Sequence, residues 1–144
     1  MKICDLMHKG VIFCYPEDTV KEVARIMDDN RIRSVVVVDQ TGEVWGVISI
    51  MELMPLYGKE LESIKAEDVM RPYKIEIDPQ APVEHAIKLM KQRKFEHLVI
   101  IDPHAGPKRP IGILTSFDIV QYMSGLALGQ FELLLKMNTE DQKR

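Results

Sequence analysis

The octapeptide Gly112-Ile113-Leu114-Thr115-Ser116-Phe117-Asp118-Ile119 has an imperfect twin in Gly46-Val47-Ile48-Ser49-Ile50-Met51-Glu52-Leu53. Each runs glycine, two apolar residues, a hydroxyl residue, two spacers, a carboxylate and an apolar residue. Self-similarity of this kind is the signature of a duplicated unit and bears on the whole fold.

Working outward from the twins, a shift of 63 residues pairs Lys2 with Lys65, Asp5 with Asp68, Met7 with Met70, Ile12 with Ile75 and Pro16 with Pro79. The same shift pairs Val20 with Val83, Met27 with Met90, Val36 with Val99 and Asp39 with Asp102. Beyond Asp102 the shift becomes 66, because residues 103–110 are three longer than their counterpart. That stretch carries proline and glycine and no apolar periodicity, which predicts an exposed hairpin insertion.

Each copy predicts the same elements. A helical turn (4–7 and 67–70) leads to a short strand in which Ile12 and Cys14, or Ile75 and Ile77, alternate toward a core. An amphipathic helix follows. Thr19 and Glu22 stand at capping-box spacing before the apolar face Val20, Val23, Ala24 and Met27. In copy two, Pro82 starts the helix and Val83, Ala86, Ile87 and Met90 form that face. Nearly continuous apolar runs at 34–39 and 97–102 predict strands covered on both faces, followed by strands at 44–48 and 111–114 and a second helix from near Ser49 or Ser116. A unit of about 60 residues buries too little surface to stand comfortably alone. The expected fold is therefore α/β (α+β), with two repeats packed as an internal pseudo-two-fold dimer and a cleft per repeat.

The chain has 144 residues, 46% apolar and 28% charged, which suits one compact domain or two closely packed halves. A net charge of −3 supplies no general basic surface for nucleic acid. No apolar run is long enough to span a bilayer, and the first residues lack the apolar core of a signal peptide. Two cysteines, Cys4 and Cys14, make no disulfide framework, and a reduced, cytoplasmic setting is expected. Glycine-rich nucleotide loops and zinc-protease motifs do not occur. His8, His85, His97 and His104 are too scattered to predict a metal site with the cysteines, and no partner is evident to activate Cys14. These features argue against an enzyme.

The repeated order Lys-x-x-Asp-apolar-Met, strand, capped helix, apolar strand ending in Val-Asp or Ile-Asp, then Gly-apolar-apolar-Thr-x-x-Asp resembles a tandem CBS-domain pair, or Bateman module. The resemblance divides the chain into repeat one (1–60), repeat two (61–124) and a C-terminal helix with a polar tail (125–144). It implies a regulatory module that holds an adenosine ligand, AMP, ADP, ATP or S-adenosylmethionine, between the repeats. Asp118 then accepts the ribose hydroxyls, with Thr115 and Ser116 beside it at the helix start. The resemblance lays the adenine along Lys74, Ile75, Ile77, His97 and Leu98, and supplies phosphate contacts from Arg33 and Ser34 of the opposite copy. Glu96, which matches Arg33, would repel a phosphate.

Elementary chemistry agrees, because a carboxylate offers acceptors to both hydroxyls of a diol, and a helix N-terminus beside it offers N–H groups to phosphate. Thr-x-x-Asp and Ser-x-x-Glu are equally helix-capping patterns, and the two roles are compatible. Glu52 is a methylene longer than Asp118, so one good site is expected at copy two and a degenerate one at copy one. Residues 125–137 carry an apolar face, Phe131, Leu134, Leu135 and Met137, which either docks on the chain's own core or makes an oligomer or partner contact, a homodimer being the favoured form. The resemblance implies disc-like dimers and an effector protein of unknown identity; a ligand-free scaffold for protein–protein interaction is the alternative.

Overall fold

The computed structural model describes residues 1–104 and 108–125. The expected C-terminal helix lies outside the described residues. The chain runs α1 (Ile3–Leu6), β1 (His8–Lys9), β2 (Phe13–Cys14), α2 (Val20–Asn30), β3 (Ser34–Val38), β4 (Val44–Ser49) and α3 (Ile50–Leu53). Two 3-10 turns follow, then α4 (Ala66–Val69), β5 (Arg71–Pro72), α5 (Val83–Arg93), β6 (His97–Ile101), β7 (Pro110–Thr115) and α6 (Ser116–Met123). The two long helices begin where their sequence signals stand. Thr19 caps α2 by accepting from the Glu22 N–H, and Glu22 reaches back to the Thr19 N–H. Pro82 precedes α5.

The strands form two sheets, β1-β7-β6 and β2-β3-β4-β5. Thus β1 of copy one pairs antiparallel with β7 of copy two, Lys9 opposite Gly112, while β5 of copy two pairs with β4 of copy one, Gly46 opposite Pro72. The preceding helical turns cross over as well. Ile3 N–H donates to the Ala81 carbonyl and Cys4 N–H to that of Pro79, each at 2.9 Å. The mirror pair, Ala66 to Asp18 at 2.7 Å and Glu67 to Pro16 at 3.0 Å, ties copy two onto copy one. Each spatial half is completed by the first elements of the other sequence repeat.

This exchange explains the glycine that opens each octapeptide. A Cβ on Gly112 would lie 2.5 Å from the His8 carbonyl oxygen, and one on Gly46 would lie 2.6 Å from that of Arg71. A hydrogen at Cα lets the exchanged strand come into register; a methyl group does not.

The main core joins both copies, with Ile3, Val36, Val47, Leu98, Ile100 and Leu114 almost wholly buried in it. A smaller cluster under α2 holds Cys14, Val23, Met27, Val35, Val37 and Ile48. The expected inward side chains Cys14, Ile75 and Ile77 are all buried. The strand expected at Ile75 and Ile77 is absent, however, since β5 ends at Pro72 and irregular backbone follows. Ile12 is 39% exposed. It precedes β2 and faces a cavity instead of the core. Among the described residues no helix is long and apolar enough to cross a membrane.

Candidate functional site

The Thr115-Ser116-Phe117-Asp118 turn builds the start of α6 from the capping pattern. Asp118 N–H donates to Thr115 Oγ1 at 3.0 Å, and Asp118 Oδ2 accepts the Thr115 N–H at 2.9 Å. The second oxygen, Oδ1, accepts from His8 Nε2 at 2.9 Å. Asp118 is only 7% exposed. Burial alone would raise its pKa, but the hydrogen bonds from His8 and Thr115 outweigh that and hold the carboxyl below its usual range. It is therefore an ionised acceptor at a helix N-terminus.

Beside it opens a cavity of about 590 Å³, lined by His8 to Ile12, Arg31 to Ser34, His97, Thr115 and Phe117, among others. This size falls within the range of small-molecule sites. Its lining includes three cationic residues, Lys9, Arg31 and Arg33. Arg31 closes α2 in the left-handed conformation at φ 55°. That conformation is uncommon outside glycine, asparagine and aspartate. His97 also lines the cavity, and burial holds its imidazole below the usual histidine pKa against the attraction of Glu96 and Asp118.

Of the residues expected here, Arg33, Ser34, His97 and Thr115 come together on the cavity wall. Asp118 adjoins them behind His8, while Ser116 is half-buried and gives its N–H to the Glu96 carbonyl at 2.8 Å. The expected adenine wall differs. Lys74 and Ile75 line a separate cavity with Trp45 and Tyr73, while Ile77 and Leu98 are core residues. The strand exchange instead brings Gly10, Val11 and Ile12 of copy one to the cavity beside Asp118. Glu96 is not on this cavity wall; it lines the cleft of copy one.

His8, Lys9 and Arg31 were not among the residues expected from sequence. The repeat register held the one available signal, pairing His8 with Arg71 at the start of the exchanged strands.

The cleft of copy one is smaller, about 210 Å³, and is lined by Ser49, Glu52, Arg71, Phe95 and Glu96 among others. Glu52 Oε1 accepts both the N–H and the hydroxyl of Ser49 at 2.8 Å. The Arg71 guanidinium stacks 3.7 Å over the Phe95 ring and donates to the carbonyls of Arg93 and Lys94. Side chains of the chain itself thus narrow the space that stands wider beside Asp118.

No group of three or more metal-binding side chains occurs among the described residues. Burial, with Asp18 and Glu22 nearby, pushes the Cys14 thiol up to about 12, so it is protonated and inert at neutral pH.

Comparison with known proteins gives the same two units. A model of the CBS domain matches residues 3–58 and 66–125. Among curated proteins, the uncharacterized protein MK0525 of Methanopyrus kandleri is 30% identical over 124 residues, which cover 84% of this chain and 62% of that protein. Inosine-5'-monophosphate dehydrogenase of Methanocaldococcus jannaschii is 30% identical over 120 residues, 83% of this chain but 23% of the enzyme. The chain therefore spans less than two thirds of these relatives. Among solved structures, the CBS domain pair of protein MJ0100, in complex with 5'-methylthioadenosine and S-adenosyl-L-methionine, superposes with a TM-score of 0.77 at 22% identity. That match covers 87% of this chain and 97% of the other. The CBS domain protein PAE2072 of Pyrobaculum aerophilum, complexed with AMP, gives 0.73 at 18% identity over 82% of this chain and 89% of that one. With two matched segments covering most of its length and a fold shared with these pairs, the chain belongs to the CBS domain family as a tandem pair.

Proposed function

We propose that this CBS pair is a regulatory module, not a catalyst, that binds an adenosine ligand in the cavity beside Asp118. The observation that carries the reading is an ionised, buried carboxylate at the start of α6, beside a cavity whose wall includes Lys9, Arg31 and Arg33. The carboxylate suits a ribose diol, and the arginines suit phosphate oxygens, which they can grip bidentately. Within the adenosine class, the wall favours a phosphorylated ligand such as AMP, ADP or ATP over the sulfonium of S-adenosylmethionine. AMP and S-adenosyl-L-methionine bound to structural relatives support the class. A ligand-free scaffold has no need of such a wall.

Ligand would act by favouring one arrangement of the repeats, to the extent that its affinity differs between arrangements. We place the output in a homodimer and an effector protein in the cytoplasm. Apolar side chains exposed on α3 and α6, Met51, Phe117, Val120 and Met123, support a helix-mediated contact.

A thermal-shift panel of AMP, ADP, ATP, S-adenosylmethionine and NAD on wild type and Asp118→Ala tests the reading. Ligand at about 100 times its Kd stabilises the fold by roughly 2.7 kcal/mol. Loss of the charged acceptor weakens binding by about 10-fold to 150-fold. Glu52→Ala has a much smaller effect. A panel in which no adenosine compound shifts the melt refutes the proposal.

A further inference from the structure

We propose that His8 is a latch on this site: its imidazole holds the Asp118 oxygen that a ribose diol requires, and an adenosine ligand binds by displacing it. The inference rests on the adenosine reading above.

Asp118 has one carboxylate oxygen on the Thr115 N–H and the other on His8. Oδ2 is held by a backbone group, and Asp118 is buried off the cavity lining. A ribose hydroxyl coming from the cavity therefore reaches the carboxylate at Oδ1, where the His8 ring that lines the cavity must give way. The two partners differ in freedom to move. The Asp118 side chain is 8% exposed and tied into the α6 cap, whereas that of His8 is 53% exposed. The His8 backbone is anchored to β7, with Gly10 N–H donating to the Ile111 carbonyl at 2.8 Å. Release is therefore a side-chain rotation toward solvent that leaves the strand pairing in place.

The latch also explains why Asp118 adjoins the cavity without lining it: His8 is the residue on the wall. Copy one has no equivalent, since Arg71, at the matching position, has turned onto Phe95 and two backbone carbonyls. The tie that ligand breaks joins an exchanged segment of copy one to a helix of copy two. Occupancy is thus read at the seam between the repeats.

Calorimetric titration of wild type and His8→Ala with AMP and with 2',3'-dideoxyadenosine 5'-monophosphate tests the latch. His8→Ala binds AMP about 3-fold to 10-fold more tightly, as expected when one hydrogen bond of ordinary net strength no longer competes. The dideoxy analogue, which does not need Oδ1, binds both chains equally. Wild-type AMP binding that His8→Ala leaves unchanged or weakens overturns the latch and leaves the adenosine reading standing. Absence of AMP binding by both chains overturns both. Should the variant fail to fold, imidazole nitrogen spectra of the wild type decide. The His8 resonances move as AMP saturates the site, and resonances unmoved at saturation overturn the latch.

Discussion

Replacing Gly112 by alanine tests the strand exchange on which the site depends. The new methyl carbon would stand 2.5 Å from the His8 carbonyl oxygen and 2.9 Å from Met7 Sδ. The methionine can rotate away, but the carbonyl belongs to the β1 backbone, which is held against β7. Ordinary van der Waals spacing requires roughly 1 Å of displacement, too much for the hydrogen bonds of a two-residue strand to survive. Overpacking of this kind costs about 1–3 kcal/mol, and lost backbone hydrogen bonds add about 1 kcal/mol each, so a loss of about 2–4 kcal/mol is expected. For a chain of this size that lowers Tm by roughly 6–12 °C. Calorimetry reads the shift, and hydrogen exchange at the Gly10 amide, bonded to the Ile111 carbonyl, reports whether the strand has detached. Gly10→Ala is the control: its Cβ meets nothing within 4 Å, and only its φ of +76° is strained. That change costs about 1–2 kcal/mol. A Gly112→Ala protein that melts within about 2 °C of wild type, with Gly10 still protected, refutes the reasoning.

Two further outcomes follow from the walls of the clefts. Arg71→Ala removes the guanidinium stack on Phe95 and two bonds to helix-end carbonyls, so urea unfolding shows a loss of about 1–2 kcal/mol while AMP binding at the Asp118 cavity is unchanged. His97 has its pKa lowered in the folded state, chiefly by burial. The unfolded chain therefore binds the proton more readily, and the His97 contribution to stability is complete above about pH 6.5 and is lost as pH falls from there through the folded value. Melting curves across this window slope less in His97→Gln; equal slopes in both proteins refute the assignment.

Much of the site was legible as a sequence pattern. Thr115 and Asp118 stand where the capping chemistry put them, and Arg33, Ser34 and His97 reach the cavity beside them. The placement of Lys74, Ile75 and Ile77 beside Asp118, which the family resemblance implied through the first strand of the same copy, does not hold, because the strand exchange brings the first strand of the other copy there. Hydrophobic periodicity says which side of a strand faces a core; it does not say which copy supplies that core. Ile75 and Ile77 were correctly read as alternating core residues, but the strand expected there does not form: β5 ends at Pro72 and both side chains bury in the shared core from irregular backbone. His8 had no motif, since a single exposed histidine acquires meaning only from the carboxylate brought to 2.9 Å by a strand from the other half.

The sequence by itself determined that the chain is a duplicated α/β unit, where its helices are capped, and which of its two carboxylates is the shorter one. These are properties of order and spacing, set within a few residues of one another. Only the tertiary structure decided that the first elements of each repeat cross to the other, that Arg71 narrows one cleft, and that His8 covers the acceptor in the second. Those depend on contacts between residues as far apart as His8 and Asp118, where packing and backbone pairing, not local propensity, choose the partner.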